Sequence, residues 1–211
     1  MKNSFFKFIL FAVVTSITFS CGGSDDFAAD EKKAKDSLQQ VQNAKNDFSK
    51  IGNNEGVVGV FDIPEMLTIC KMDSAPMKDV SFKVAKAYSV LEEEMNAVKA
   101  ELDGMPGMLT YNNDTTNFIF ECVLPIKAMP KQQPKTTKII ILEACPMLIY
   151  NFYGPYKQLF TAYNTIRKYL ADNKLTQSGP MREFYLSDPT IERDPAKWQT
   201  RIMVPVTKAK K

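Results

Sequence analysis

Histidine is absent from all 211 residues. That gap removes Ser-His-Asp and Cys-His nucleophilic chemistry, His-ligated zinc and His-ligated haem together. Any catalysis would have to run on carboxylates, tyrosine, lysine or cysteine. Net charge is equally scarce: 27 Lys and Arg against 24 Asp and Glu leave +3, and the first 20 residues hold Lys2 and Lys7 but no acid, so the remainder carries +1 (3 − 2). Nucleic-acid binding needs a concentrated basic face, so no such partner is expected. The cysteines after Cys21 (Cys70, Cys122 and Cys145) stand at no metal-ligand spacing, and neither a metal nor a cofactor is expected. The apolar run Phe8 to Thr18 is too short to prefer a membrane span.

What is present divides the chain in three. Residues 1–20 read as an export signal, with Lys2 and Lys7 as its basic start, the apolar run after them and small residues before Cys21. Cys21-Gly22-Gly23-Ser24 resembles a bacterial lipoprotein cleavage site, which implies that Cys21 is lipidated and that the protein is anchored to a membrane of the cell envelope. Residues 21–55 read as a polar tether with a short helix, whose apolar positions Leu38, Val41, Phe48 and Ile51 form only a narrow stripe before Gly52-Asn53-Asn54 stops it.

Residues 56–211 read as one globular domain of α+β class. Strands are expected at Val57–Phe61, Met66–Met72, Met108–Tyr111 and Asn117–Leu124, around a helix at Ser81–Leu102. Pro130 to Lys135 is an extended linker. The same plan then returns, with strands at Lys138–Leu142, Met147–Phe152, Met181–Leu186 and Thr200–Pro205 around a helix at Tyr156–Leu175. Ala87-Tyr88 precedes Ala162-Tyr163 by 75, and Met66-Leu67 precedes Met147-Leu148 by 81. Offsets this close argue for duplicated strand-helix-strand-strand units, about 56–129 and 138–206. Two such units would place helices on one side of the sheet and leave the other side free for a cleft at the pseudo-two-fold axis.

The candidate site lies in two stretches, Ala144 to Tyr156 and Gly179 to Pro189. On a strand, Glu183 and Tyr185 share a face while Arg182, Phe184 and Leu186 point away. Leu109 stands where Glu183 would be in the first unit, so the acid is unmatched. Glu121, a lone charge in the apolar run Phe118 to Pro125, is the second acidic candidate, with a salt bridge across the sheet as its alternative. Tyr150, Phe152, Tyr156, Tyr185 and Trp198 are candidate walls, and Phe160 and Tyr163, on the helix, are better assigned to the core. Tyr150 and Phe152 either both line the cleft or both pack under the helices. The ordinary alternative for Glu183 is an exposed strand acid or one paired with Arg182 or Arg201.

Phe152-Tyr153-Gly154-Pro155-Tyr156, Ala162-Tyr163, Gly179-Pro180, Glu183-Phe184-Tyr185-Leu186-Ser187-Asp188-Pro189 and Trp198 to Val206 together resemble the GyrI-like effector-binding domain, the small-molecule module of multidrug-responsive transcription regulators. The resemblance implies an aromatic cleft for lipophilic, often cationic, compounds, with Glu183 as its buried glutamate; with the candidates read from the residues, the expected lining set is Glu183, Tyr185, Tyr150, Phe152, Trp198 and Glu121. No DNA-binding segment is read before the domain, so a role in transcription is not expected. Three functions compete. The first is capture of a small lipophilic or cationic ligand without turnover. The second is hydrolysis of electrophilic small molecules using Glu183 and Tyr185, as some relatives of the family imply. The third is a structural envelope role, with a filled cleft and contact through the Ala28 to Ile51 helix. Cys70 and Cys122 could form a bridge, or all three later cysteines could be buried thiols.

Overall fold

The structure, a computed structural model, describes residues 51–208; the expected signal, Cys21 and nearly all of the tether lie outside the described residues. Among the described residues there are nine strands: β1 (Gly56–Ile63), β2 (Met66–Ala75), β3 (Gly107–Thr110), β4 (Phe118–Pro125), β5 (Lys138–Leu142), β6 (Cys145–Tyr153), β7 (Leu175–Gln177), β8 (Met181–Tyr185) and β9 (Gln199–Lys208). The described residues also form two α-helices, α1 (Val80–Ala97) and α2 (Leu159–Asp172), each after a short 3-10 turn. The fold is α+β, as the sequence predicts.

The strands pair antiparallel in the order β1-β6-β9-β8-β3-β4-β2-β5, with β7 added on β9. Read outward from the β8–β3 contact, the order is β9, β6, β1 on one side and β4, β2, β5 on the other. Each helix stops the same way: Lys99 and Lys174, 75 residues apart, both take left-handed backbone (φ 56° and 53°). These stops fall earlier than the sequence pattern suggests. After Lys99, Leu102 leaves the helix to bridge Ile126, and after Lys174 the chain forms β7.

Connectivity dictates the shape of the sheet. β1 and β2 are joined only by Pro64-Glu65, yet six interstrand spacings separate them in the sheet order, ~29 Å if the sheet were flat. Three Cα steps from Ile63 to Met66 reach at most ~11 Å. The sheet must therefore coil until its two edges approach. Its inner face holds one apolar cluster drawn from eight strands, including Ile63, Cys70, Leu109, Val123, Leu142, Met147, Phe184 and Met203. Ile51, expected at the end of the tether, is buried in this cluster too, and Asn151 fixes the entering chain by donating to the carbonyls of Gly52 (2.7 Å) and Asn54 (3.1 Å).

That packing corrects the expected position of the cleft. The face without helices is the filled core, and both helices lie on the opposite face. α1 buries Ala87 and Leu91 against Ile69, Phe120 and Cys122 of β2 and β4, and α2 buries Leu159, Ala162 and Ile166 against Leu148, Tyr150 and Ile202 of β6 and β9. Of the central pair, β3 and β8, Met108 joins the cluster under α1.

Those two strands meet closely at Gly107, where an added Cβ would lie 2.7 Å from the Phe184 ring and 2.8 Å from the Glu183 carbonyl oxygen. A backbone oxygen cannot swing aside as a side chain can. Gly107→Ala is expected to lower stability by about 1–3 kcal/mol through forced separation of β3 and β8, read as a lower urea midpoint; an unchanged midpoint would show that the contact yields freely.

Candidate functional site

Ladder pairing identifies what lies between the helices. Tyr150, Ile202, Glu183, Met108 and Cys122 are successive cross-strand partners along one row. Tyr150 and Ile202 pack under α2, and Met108 and Cys122 under α1. Glu183 is the middle of the row, between the strands packed under α2 and those packed under α1. Its counterpart across the centre is therefore Met108 rather than Leu109, which turns to the inner core with Arg182 and Met203 as partners. The acid remains unmatched, but for a different residue than the offsets suggest.

Glu183 is 1% exposed. Tyr163 of α2 donates to its Oε1 at 2.5 Å, and Tyr185, two residues along the same strand, reaches Oε2 at 3.5 Å. Neither arginine that sequence offered as a partner is on its face. Arg182 points inward, and Arg201 donates to Asn151 Oδ1 (3.0 Å) and Asn53 Oδ1 (2.9 Å). Among the described residues no lysine or arginine forms an ion pair with Glu183. Burial pushes its carboxyl pKa above the ordinary range, and the two tyrosine hydrogen bonds only partly oppose this. Burial and the neighbouring Glu183 also push the Tyr163 and Tyr185 phenols upward, so both stay protonated as donors.

Aromatic rings continue the site outward. Tyr156, 37% exposed, meets Tyr185 edge-on at 5.4 Å and lies 5.1 Å from Trp198. Gly154 makes this placement possible: its φ of 141° suits glycine and lets the chain leave β6 before Pro155, and a Cβ there would lie 2.9 Å from the Phe152 ring. Trp198 is held by its indole N–H donating to the Glu192 carbonyl at 2.7 Å. On the far side, Tyr88 of α1 donates to the Gly107 carbonyl at 2.6 Å.

Of the expected lining set, Glu183, Tyr185 and Trp198 come together, with Tyr156 between the last two. Tyr150 and Phe152 do not join them, because both are buried under α2. Glu121 does not either, since it faces the opposite side of the sheet and accepts from Tyr111 at 2.6 Å. Tyr163, assigned from sequence to the core, is instead the closest partner of the acid. A signal for it existed: Tyr88 and Tyr163 are matched at offset 75, and a hydroxyl on each inward helix face needs a polar partner. The Cys70–Cys122 bridge is ruled out by register, because Cys70 pairs with Val123 on the inner face and Cys122 with Lys71 on the helix face. Among the described residues no cluster of metal-ligating side chains occurs.

The site holds one buried carboxyl group with two phenol donors in an apolar, aromatic setting. No curated protein matches the sequence. Among solved structures, the crystal structure of the EcmrR C-terminal domain is similar at 22% identity with a TM-score of 0.65, covering 71% of this chain and 96% of that one. An uncharacterised conserved protein from Listeria innocua aligns at 13% identity and TM-score 0.62, over 77% of this chain and 98% of its own. A hydrolase from the same organism aligns at 15% identity and TM-score 0.58, over 77% and 98%. At these identities the likeness establishes a shared fold. The family profile for the GyrI-like small molecule binding domain matches residues 65–207, a span that contains both helices, the central strand pair and every aromatic residue around Glu183, and the chain belongs to that family.

Proposed function

We propose that this protein binds a small lipophilic molecule bearing a positive charge between α1 and α2, with Glu183 as counter-charge and Tyr185, Tyr156 and Trp198 as the aromatic wall. The observation that carries the reading is a carboxyl group 1% exposed whose partners among the described residues are two phenols and no cation. A buried carboxylate is costly without a counter-charge, and a bound cation supplies one while the rings add cation–π attraction. Membership of a small-molecule binding family supports a ligand of this size. The sequence of residues 1–21 supports a lipid-anchored envelope protein, a location in which a lipophilic ligand would be met at the membrane.

Hydrolysis using Glu183 is the second reading. It requires the ionised carboxylate as general base, and burial that favours the neutral form works against it. Fluorescence anisotropy with a permanently cationic rhodamine ester, set beside the uncharged dye Nile red, tests the leading reading. The cationic dye is expected to bind at least about tenfold more tightly. Equal affinities would remove the charge from the proposal, and no binding of either dye would remove the site.

A further inference from the structure

The inner face of β8 carries a second charged group that the ligand site does not use. Arg182 is 7% exposed, and among the described residues its Nε–H has no hydrogen-bond partner. Its Nη2 donates to the Glu143 carbonyl at 3.2 Å and lies 3.9 Å from Cys145 Sγ. Glu121, on the same face, is taken up by Tyr111, and among the described residues no carboxylate forms an ion pair with Arg182. A buried guanidinium with a free N–H is an unfilled donor for an oxygen, and the side-chain atom its Nη2 reaches is the Cys145 sulfur.

The three described thiols differ in access. Cys70 and Cys122 are 1% and 0% exposed, and burial pushes both thiols upward, Cys122 to about 12. Cys145, at the first residue of β6, is only half-buried.

We propose that Cys145 is a peroxide-oxidisable thiol whose sulfenic acid is held by the Arg182 guanidinium. In the reaction the Cys145 sulfur attacks one oxygen of hydrogen peroxide, so that an S–O bond forms as the O–O bond breaks. Sulfur loses two electrons, peroxide gains them, and the displaced hydroxide takes up the thiol proton and leaves as water. The guanidinium N–H groups stabilise the negative charge that develops on the departing oxygen. Afterwards the Nη2–H beside Cys145 Sγ donates to the oxygen on sulfur. The product is reversible by thiols, and Arg182 lies back to back with Glu183 along β8.

Peptide mass spectrometry after treatment with hydrogen peroxide and dimedone tests this on the full chain, native and in urea. In the native protein the Cys145 adduct is expected to form about tenfold faster than that of Cys70 or Cys122, and faster than Cys145 itself reacts in urea. Arg182→Met is expected to slow Cys145 by about tenfold while Arg182→Lys retains part of the rate. Equal labelling of the three cysteines, a native Cys145 rate no higher than in urea, or an unchanged rate in folded Arg182→Met would each overturn it. If Arg182→Met does not fold, the native-to-urea comparison on the wild type decides the matter. None of these readings depends on whether the dyes bind at Glu183.

Discussion

Glu183→Gln is expected to weaken binding of the cationic rhodamine by roughly 30- to 1,000-fold, the range for removing one partner of a buried charge pair at about 2–4 kcal/mol. Glutamine keeps the volume of the side chain, and its amide oxygen can still accept from Tyr163, whose hydroxyl holds Oε1 at 2.5 Å. The substitution therefore removes charge and leaves packing and the nearest hydrogen bond in place. Nile red, which has no charge to lose, should bind the variant with affinity within about threefold of wild type, since volume-conserving changes are well tolerated. The pair of titrations separates two explanations. Loss of both dyes would mean that the variant deformed the site, and loss of neither would mean that Glu183 does not face the ligand.

The order of strands and helices was legible because each element announces itself locally. Short apolar runs mark β4 and β9, a 3.6-residue apolar spacing marks α1 and α2, and Gly154-Pro155 punctuates the turn between β6 and α2. The pairing of Glu183 with Tyr185 on one face also follows from strand geometry alone. What local pattern does not carry is which face of a sheet becomes the core. That depends on the coil forced by the two-residue links β1–β2 and β5–β6, a constraint visible only once strand order is known. Tyr150 and Phe152 share the helix-bearing face with Glu183 but lie beneath α2, and Glu121 sits one residue out of phase with Cys122 and so faces inward. Tyr163 was read as core because helical spacing records which side of a helix is covered and not what lies there. Its neighbour turns out to be a carboxyl group rather than a methyl. Leu109 was matched to Glu183 by sequence offset, whereas register matches Met108, and a shift of one residue is enough to reverse a face.

The raised pKa of Glu183 makes a second prediction, on stability, whose sign can be worked out before any ligand is known. Below its ordinary value of 4.5 the carboxyl is protonated in both folded and unfolded chains, and wild type and Glu183→Gln should respond to pH alike. Above that value the unfolded chain gives up the proton while the buried carboxyl, held up by desolvation, retains it. The folded state then binds more protons than the unfolded one, so wild-type stability falls with rising pH until the folded carboxyl also ionises. The glutamine variant has no such loss. Its melting temperature minus that of wild type is therefore expected to be flat in acid, to grow as pH rises above 4.5, and to level off once the folded group has titrated. Subtracting the two curves cancels every other acid, including Glu92, whose pKa burial also raises. A cation bound at the same carboxyl must favour its ionised form, so binding should release a proton across that window, and affinity should rise with pH. Isothermal titration in two buffers of different ionisation enthalpy measures that proton directly. Tyr163→Phe removes the stronger of the two bonds that favour the charged form, so the rise in affinity should move to higher pH in that variant. Parallel stability curves for wild type and Glu183→Gln, with no proton released on binding, would mean that the carboxyl is already ionised in the folded protein and that the phenols, rather than a ligand, supply its compensation.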